Sequence, residues 1–325
     1  MDIYFVRTYQ TFFQCLSLYD YQGDAIFFIN DECSNYKNLL AVLNKHGINT
    51  KIDRTLSSKS WVRRFFFILK SMVLYSYFRF FSPFQGTNVF INGPVSSFER
   101  IKYLATSSRV IYLDGGYQHY FKFFGQYENY FYTNVNDLLL NIFAIRLNYR
   151  SKVIRTILFT NQSLTRQSDC VDLVKGVGKY REDFGVVKRV NEDARKKAII
   201  DEIFPEFDPL TLSVTNGMRS VCILTQPFSE DGNLSLNDNI SVYRNYLETV
   251  DFDKTTVYLK GHPREVAGKY SGLANDFDLI LLSGGVPFEV YEMNDVVFDL
   301  GITVNSTSVY SKCFTEQQFL NPSEV

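Results

Sequence analysis

The sequence lacks a dominant charge of either sign. Its 34 Lys and Arg residues against 35 Asp and Glu residues leave a formal net charge of −1, which removes the bulk electrostatic argument for nucleic acid as the main partner. Cysteines are also few, since there are five, far apart and never in C-x-x-C spacing. This usage argues against a disulfide scaffold or a zinc ribbon and favours reduced thiols.

Long hydrophobic runs and targeting signals are missing as well. The N-terminus reaches its apolar run without a basic region, so it lacks the form of a signal peptide. No stretch approaches the roughly 20 uncharged residues that a spanning helix needs. The sequence therefore predicts a soluble or peripheral protein in the cytoplasm or at the inner face of the membrane.

The length and composition favour two globular domains. The chain has 325 residues, of which 46% are hydrophobic and 21% charged, so disorder is excluded as its main state. Residues 202–217 lose periodicity and contain two prolines, which is typical of a linker. We therefore expect an N-terminal acceptor-side domain at 1–205 and a C-terminal donor domain at 215–325.

Apolar runs rich in aromatic and β-branched residues alternate with helical patterns, as in parallel α/β proteins. Strands are predicted at 2–7, 25–30, 88–92, 110–114, 220–225, 255–260, 279–283 and 297–304, and helices at 9–19, 36–45, 98–105, 137–149 and 239–250. Two Rossmann-like halves predict a cleft between them, because ligands of open parallel sheets bind at the carboxyl ends of the strands.

Polar turns follow four predicted strands of the second half. They are Ser-Glu-Asp-Gly at 229–232, Gly-His-Pro-Arg at 261–264, Val-Pro-Phe-Glu at 286–289 and Asn-Ser-Thr-Ser at 305–308. Parallel strands place all four turns at one edge of the sheet. Hydroxyls at a helix start can bind anions, an imidazole can donate to a phosphate, and a carboxylate can take a hydroxyl proton. Singly, each turn is more simply structural, with N-caps and a tight turn.

Three of these turns, in this order, resemble bacterial sialyltransferases, and most closely the lipooligosaccharide and capsule enzymes of glycosyltransferase family 52. The resemblance covers 223–232, 257–265 and 304–308, and residues 3–8 are similar to the first strand and turn of the family. It implies an α/β protein of GT-B type, with two Rossmann-like domains facing a central cleft. The implied reaction moves a nonulosonic acid, most often N-acetylneuraminic acid, from a CMP donor to a sugar hydroxyl with inversion.

This chemistry requires stabilisation of the charge on the departing phosphate and a base for the acceptor hydroxyl. His262 suits the first task. The CMP donor is further assigned to Gly261, Pro263, Glu289, Ser306 and Thr307. Among these, the hydroxyl residues suit the phosphate at a helix N-terminus, and Glu289 suits the ribose hydroxyls.

The base has two candidates. The resemblance favours Asp231, with Glu230 as its neighbour. Asp114 is the second candidate, because it ends a predicted strand of the first domain and also faces the cleft. Related sialyltransferases carry two acids before a glycine at this place, whereas this sequence has Leu113 in the position of the first acid.

No cofactor or metal is expected, since a nucleoside monophosphate leaving group carries less charge than a diphosphate; CMP-sialic acid is a co-substrate. Two Asp-Phe-Asp triplets, at 251–253 and 276–278, look like the D-x-D motif of metal-dependent transferases. Both precede predicted strands and so fall at the opposite edge of the sheet. We interpret them as solvated turn acids.

Residues 61–81 form a helical candidate rich in aromatics, and its only charges are Arg63, Arg64, Lys70 and Arg79. Such a surface could rest on an anionic leaflet, where a lipid-linked glycan acceptor would be found. A core helix of the first domain is an equal alternative. A homodimer also stays open.

Two other functions fit the same frame. A GT-B transferase could use another nucleotide-sugar donor, because donor choice depends on a few pocket residues. A non-catalytic glycan-binding protein of a capsule pathway could keep the fold without the chemistry. CMP release in the presence of acceptor distinguishes an enzyme from such a protein.

Overall fold

The computed structural model describes residues 1–54, 69–70, 73–74, 77–78, 81, 85–91, 97–113, 154–158, 179–181, 185–208, 212, 217–304 and 306–320. The chain divides into two compact units, Met1–Ile199 and Ile200–Val325. The dividing point lies within one helix, Ala194–Ile203. The predicted helix at 137–149 and most of 61–81 lie outside the described residues.

The first unit contains a parallel sheet flanked by helices. Its described strands are β1 Asp2–Val6, β2 Ala25–Asn30, β3 Thr50–Asp53, β4 Gln85–Ile91, β5 Ser107–Leu113, β6 Ile154–Leu158 and β7 Lys179–Arg181. Its described helices are α1 Tyr9–Leu18, α2 Tyr36–Lys45, α3 Phe98–Thr106, α4 Val186–Asn191 and α5, Ala194–Ile203, which crosses into the second unit. The strand order is β3-β2-β1-β4-β5-β6-β7, and all neighbours are parallel.

Aromatic side chains stack across neighbouring strands in the core of this unit. The Tyr4 ring on β1 lies 4.6 Å from the Phe27 ring on β2 and 4.6 Å from the Phe90 ring on β4. Both pairs are near-parallel stacks between directly adjacent strands, which stabilise a sheet face beyond simple burial. The high aromatic content of the sequence is therefore used, in part, to build this core.

The second unit is a smaller parallel sheet. Its strands are β8 Arg219–Leu224, β9 Thr255–Lys260, β10 Leu279–Leu282, β11 Phe298–Thr303 and β12 Phe314–Phe319. Its helices are α6 Leu236–Leu247, α7 Ser271–Asp276 and α8 Phe288–Met293, with a 3-10 helix at Thr307–Tyr310. The order is β10-β9-β8-β11-β12, again with parallel neighbours throughout.

The strand order of each sheet indicates the edge at which a ligand is expected to bind. From its first strand, each sheet grows first in one direction and then in the other, so the order reverses between β1 and β4 and between β8 and β11. Ligands of such sheets bind beside this reversal, at the carboxyl ends of the strands. The four polar turns follow β8, β9, β10 and β11, which confirms that they share one edge.

Apolar residues of β8, β9 and β11 pack against α6 in the core of the second unit. The core residues include Ile223, Leu259, Ile302, Tyr243 and Leu247, each at most 1% exposed. This packing holds the carboxyl ends of the strands in place and leaves the turns beyond them partly exposed.

Within the described ranges, no helix has both the length and the apolar character to cross a membrane. Cys15, Cys33, Cys222 and Cys313 are free and buried.

Candidate active site

His262 lies in the turn after β9, where hydrogen bonds from main-chain amides fix both its backbone and its ring. The His262 amide donates to Glu265 Oε2 at 2.7 Å and to Thr225 Oγ1 at 3.2 Å. The Arg264 amide donates to His262 Nδ1 at 3.1 Å. A backbone N–H can only donate, so Nδ1 must be the unprotonated nitrogen and the neutral ring carries its proton on Nε2.

The charge state of His262 agrees with this tautomer. Burial lowers the pKa of His262, and the nearby Arg264 cation lowers it further. The ring is therefore neutral at pH 7 and presents Nε2–H as a hydrogen-bond donor. A neutral donor of this kind can stabilise charge on a phosphate oxygen, which is the task that the sequence assigns to this residue.

Asp231 is joined to the His262 turn by an ion pair. Arg264 Nη1 lies 2.5 Å from Asp231 Oδ1, and Arg264 Nη2 lies 3.0 Å from Oδ2. The pair is a bidentate fork in which both carboxylate oxygens accept. Gly232, the next residue, has φ 74°, a left-handed conformation that glycine adopts without strain. The structure thus brings the Asp231 and His262 turns together.

Glu230 is held by a different cation. Lys269 Nζ lies 2.9 Å from Glu230 Oε2, and Ser229 Oγ donates to the same carboxylate at 2.9 Å. Burial alone would raise the pKa of Glu230, but the hydrogen bonds from Lys269, from backbone amides and from Ser229 outweigh it and lower the pKa to about 2. A carboxylate held ionised in this way suits an anchor better than a proton acceptor.

The turn after β11 is tied to β8 across the reversal in strand order. Thr303 Oγ1 donates to the Leu224 carbonyl at 3.1 Å and accepts from the Ser306 amide at 3.0 Å. Ser306 is the N-cap of the 3-10 helix that begins at Thr307, and its hydroxyl accepts from the Ser308 amide at 3.3 Å. The predicted capping role of Ser306 is confirmed, and the turn lies where a phosphate site is expected.

Glu289 lies in the first turn of α8, and a tight contact holds the preceding loop against the Gly261 turn. A Cβ added at Gly284 would lie 2.8 Å from the Gly261 carbonyl oxygen, so only glycine allows this approach. Lys260 Nζ donates to the Ser283 carbonyl at 3.1 Å. Burial lowers the pKa of Lys260 to about 8, while Cys222 and Glu289 act in the opposite direction.

The remaining predicted residues are less informative. Pro263 is exposed and Gly261 is half-buried, both in the His262 turn. Asp114 lies outside the described residues, and β5 ends at Leu113. Its role as a base stays a prediction.

The two Asp-Phe-Asp triplets lie at the opposite edge, as predicted. Asp251 pairs with Lys254 at 2.6 Å ahead of β9, and Asp276 pairs with Arg244 at 2.6 Å ahead of β10. In the part of the chain that the structure describes, no group of three or more His, Cys, Asp or Glu side chains could hold a metal ion.

Sequence reasoning missed the charged residues that support these turns. They are Lys260, Arg264, Glu265 and Lys269. Their one signal is that each stands in or close to the Gly-His-Pro-Arg motif. Charged residues in or next to a turn usually face solvent, so the burial of the Lys260, Glu265 and Lys269 side chains could not be predicted from this position.

Solved structures of known proteins resemble this chain in fold. The structure is similar to the 2,6-sialyltransferase of Photobacterium sp. JT-ISH-224, crystallised with CMP and lactose, with a TM-score of 0.60 and 11% identity over 98% of this chain and 71% of that one. It is also similar to the GT-B domain of the Photobacterium damselae sialyltransferase, with a TM-score of 0.52 and 13% identity over 97% and 89%. These likenesses confirm the GT-B fold.

The family follows from the sequence itself. The family model for alpha-2,8-polysialyltransferase (POLYST) matches residues 4–316, so the chain belongs to this family and is a sialyltransferase. A search of curated proteins found no match to the sequence. The narrower likeness to glycosyltransferase family 52 stays a prediction.

Proposed function

We propose that this sialyltransferase moves sialic acid from a CMP donor to a sugar hydroxyl of a bacterial surface glycan, such as an O-antigen, lipooligosaccharide or capsule, with inversion. The observation that carries the proposal is the state of His262: a neutral imidazole, fixed as the Nε2–H tautomer, at the carboxyl edge of a parallel sheet. Membership of the polysialyltransferase family supports it, as does the CMP bound by a protein of the same fold.

The residues divide between the two sides of the reaction. As the bond from the sugar C2 to the phosphate oxygen breaks, CMP leaves with the electron pair, and His262 Nε2–H donates a hydrogen bond to the phosphate. Ser306, Thr307 and the amides of the short helix bind the same phosphate, and Glu289 accepts from the ribose hydroxyls. Preorganised donors of this kind stabilise charge that develops in the transition state.

On the acceptor side, the sugar oxygen attacks C2 from the face opposite CMP, and its proton passes to a carboxylate. Asp231 and Asp114 are the candidates. Both oxygens of Asp231 accept from Arg264, so Asp231 can take a proton only if it shares or releases this pair. This requirement makes the comparison between the two acids the deciding experiment on the base.

The first experiment measures CMP release from a panel of donors and acceptors. CMP-N-acetylneuraminic acid should release CMP with an acceptor present, whereas UDP-sugars should stay intact. Within the acceptor panel, a sialic-acid-terminated oligosaccharide should react faster than lactose, because the family is named for α2,8 linkage to sialic acid. Turnover with a UDP-sugar alone would favour the other GT-B donor class, and CMP binding without turnover would favour a glycan-binding protein.

We also propose that catalysis needs no metal. The leaving group is a monophosphate, and the acid pairs that look like ligands lie at the amino edge and bind Lys254 and Arg244. Activity should persist in excess EDTA. Complete loss, restored by Mg²⁺ or Mn²⁺, would favour a diphosphate donor instead.

Finally, we propose that the enzyme works in the cytoplasm against the inner membrane, where a lipid-linked acceptor would lie. Leu69, Val73, Tyr77 and Phe81 recur every four residues, have helical conformation and are 48%, 62%, 56% and 76% exposed. Residues 54–98 contain no Asp or Glu but several Lys and Arg, so an anionic bilayer would complement the charge around this apolar stripe.

The membrane proposal is tested by sedimentation with vesicles. Anionic vesicles should retain the protein, zwitterionic vesicles should retain less, and Val73→Asp with Phe81→Asp should abolish retention. A dimer that dissociates in the same double variant, with no vesicle binding by the wild type, would instead assign the stripe to a second copy of the chain.

A further inference from the structure

The second unit contains a buried ionic network whose two central residues, Lys269 and Glu265, have no role in the proposed reaction. Its centre is the Lys269 ammonium, with a side chain 1% exposed. Its neighbour is the Glu265 carboxylate, with a side chain 3% exposed. The two lie 3.0 Å apart, directly beneath the turns that carry Glu230 and His262.

Lys269 joins segments that are distant in the sequence. Its Nζ lies within hydrogen-bonding distance of Ser229 Oγ at 2.8 Å, Asn239 Oδ1 at 2.8 Å and Glu230 Oε2 at 2.9 Å, and it shares its three protons among these acceptors and Glu265. Asn239 Oδ1 also accepts from the Ser229 amide at 3.2 Å. The turn after β8 is therefore fixed to the start of α6 and to Lys269 at several points.

Glu265 continues the connection to His262. Its Oε1 accepts from Lys269 and from the Tyr270 hydroxyl at 2.6 Å, and its Oε2 accepts from the His262 amide and from the Thr225 hydroxyl. A carboxylate that receives four donors is fully satisfied, which is the condition under which a buried charge is tolerated. The carboxylate thereby fixes the position of the His262 backbone.

These contacts form one continuous connection from Glu230 through Lys269 and Glu265 to the His262 amide. We propose that Lys269 and Glu265 are positioning residues that hold the Glu230-Asp231 turn and the His262 turn in a fixed relation, so that the imidazole keeps its Nε2–H tautomer and its place at the phosphate. This inference rests on the proposed function only in the role given to the phosphate. The coupling itself can be observed without any substrate.

Two carboxylates, those of Glu230 and Glu265, flank the Lys269 ammonium, so removal of this cation has a defined consequence. Glu230 and Glu265 would face each other without the cation between them and would move apart. The His262 amide would then lose Glu265 Oε2, the nearer of its two acceptors, and the Arg264 amide would no longer meet Nδ1 in a single geometry. A displacement of about 1 Å at a reacting group costs about 10²-fold in rate.

The experiment compares Lys269→Met with the wild type by kinetics and by NMR of the histidine ring nitrogens. The chain has three histidines, so a ¹⁵N-histidine sample gives a simple spectrum, and His262→Ala assigns the signals of interest. We expect wild-type His262 to show the neutral Nε2–H pattern. In Lys269→Met we expect a mixture of tautomers, together with a kcat lower by about 10²-fold and a donor KM that changes much less.

Lys254→Met is the matched control, because it removes a lysine from an exposed ion pair with Asp251 ahead of β9. It should leave both the spectrum and kcat unchanged. If Lys269→Met folds with wild-type kcat and an unaltered His262 spectrum, the proposal is overturned. If the wild type releases no CMP while the tautomer still responds to Lys269, the proposed function fails and the coupling stands.

A second variant covers the case in which Lys269→Met does not fold. Lys269→Met combined with Glu265→Gln removes one positive and one negative charge, so neither of these two positions retains a buried ion. We expect this variant to fold, to show mixed tautomers and to remain slow. Failure of both variants to fold would also overturn the proposal, because the pair would then be required for stability and not specifically for the geometry of the turn.

Discussion

Each unit of the chain has a buried ion pair near the carboxyl edge of its sheet, and the two pairs differ in what surrounds them. In the first unit, Arg100 Nε lies 2.9 Å from Asp53 Oδ2, and both side chains are 0% exposed. In the second unit, exposure rises along a connected series, from 1% at Lys269 to 20% at Glu230. At the outer end, the neighbouring Asp231–Arg264 pair is 35% and 59% exposed.

The difference shows how the same chemistry serves two purposes. The Asp53–Arg100 pair is sealed and joins β3 to α3, while the Asn30 side-chain amide on β2 donates to the Asp53 main-chain carbonyl at 3.0 Å. The network of the second unit begins in the interior and ends at groups that solvent can reach. A sealed pair can only support the fold, whereas a pair that reaches solvent can also orient groups that meet a ligand.

A large effect should come from His262, at the open end of this comparison. His262→Ala should lower turnover by about 10²–10⁴-fold, the usual contribution of a positioned donor or acid. His262→Gln should retain part of the activity, because its amide can also donate. Steady-state CMP release measures both variants, and near-normal turnover in folded His262→Ala would remove the residue from the mechanism.

Substitution of the two candidate bases, Asp231 and Asp114, should have clearly different effects on transfer. Asp231→Asn should abolish transfer and leave CMP binding nearly unchanged, because a base contributes to proton transfer and hardly to donor affinity. Asp114→Asn should act mainly through the KM for the acceptor. If Asp114→Asn instead eliminates turnover at saturating acceptor while Asp231→Asn stays active, the base belongs to the first unit.

The sealed pair should affect stability alone. Asp53→Asn removes the negative charge that faces the buried Arg100 guanidinium at 2.9 Å, which should lower the free energy of unfolding by about 3–5 kcal/mol. Urea unfolding followed by circular dichroism measures this change. Turnover per folded molecule should not change, and a specific loss of kcat would mean that the two pairs are more alike than their exposure indicates.

The pH dependence should show a moderate effect of Arg264. The pKa of His262 is lowered below its usual value of about 6.5. The neutral donor therefore persists at pH values above the lowered pKa and is lost as the pH falls through it. Arg264→Gln removes a cation that opposes protonation, so the acid limb of kcat/KM should move to higher pH. The ¹⁵N signals of His262 should titrate in parallel; a limb that stays in place would assign the titration to another group.

The smallest effect should come from the amino edge. Asp276→Asn breaks an exposed pair with Arg244, and such pairs contribute at most about 1 kcal/mol. Thermal melting should change little, and turnover with and without EDTA should match the wild type. A selective loss of activity on EDTA treatment in this variant would revive the metal-binding interpretation of the triplet.

Much of the fold could be predicted because its central strands are continuously apolar. The bounds of β2 and β9 agree with the sequence pattern at both ends. Strands β3, β6, β7 and β12 were missed; β3, β7 and β12 lie at the edge of their sheets, whereas β6 is an interior strand. An edge strand has one unpaired side, so Phe314–Phe319 can carry polar, exposed residues that break the usual alternation.

The site could be predicted only as far as its motifs reach. Parallel topology fixes which turns share an edge, so Asp231, His262 and Ser306 could be grouped from the sequence. Glu265 and Lys269 could not, because a Glu and a Lys four residues apart look like a solvated surface pair. Their burial results from contacts with Ser229 and Asn239, which lie at least 26 positions before Glu265 in the sequence.

The orientation of the His262 imidazole depends on an atom that every residue except proline possesses. The partner of His262 Nδ1 is the amide of position 264 and not its guanidinium. Substitution of the Arg264 side chain can therefore change the local charge without removing this bond, and only Arg264→Pro deletes the donor itself. Because the donor is a main-chain amide, the side chain at position 264 does not determine the tautomer of His262. Evolution could therefore vary that residue widely while the ring kept the same tautomer.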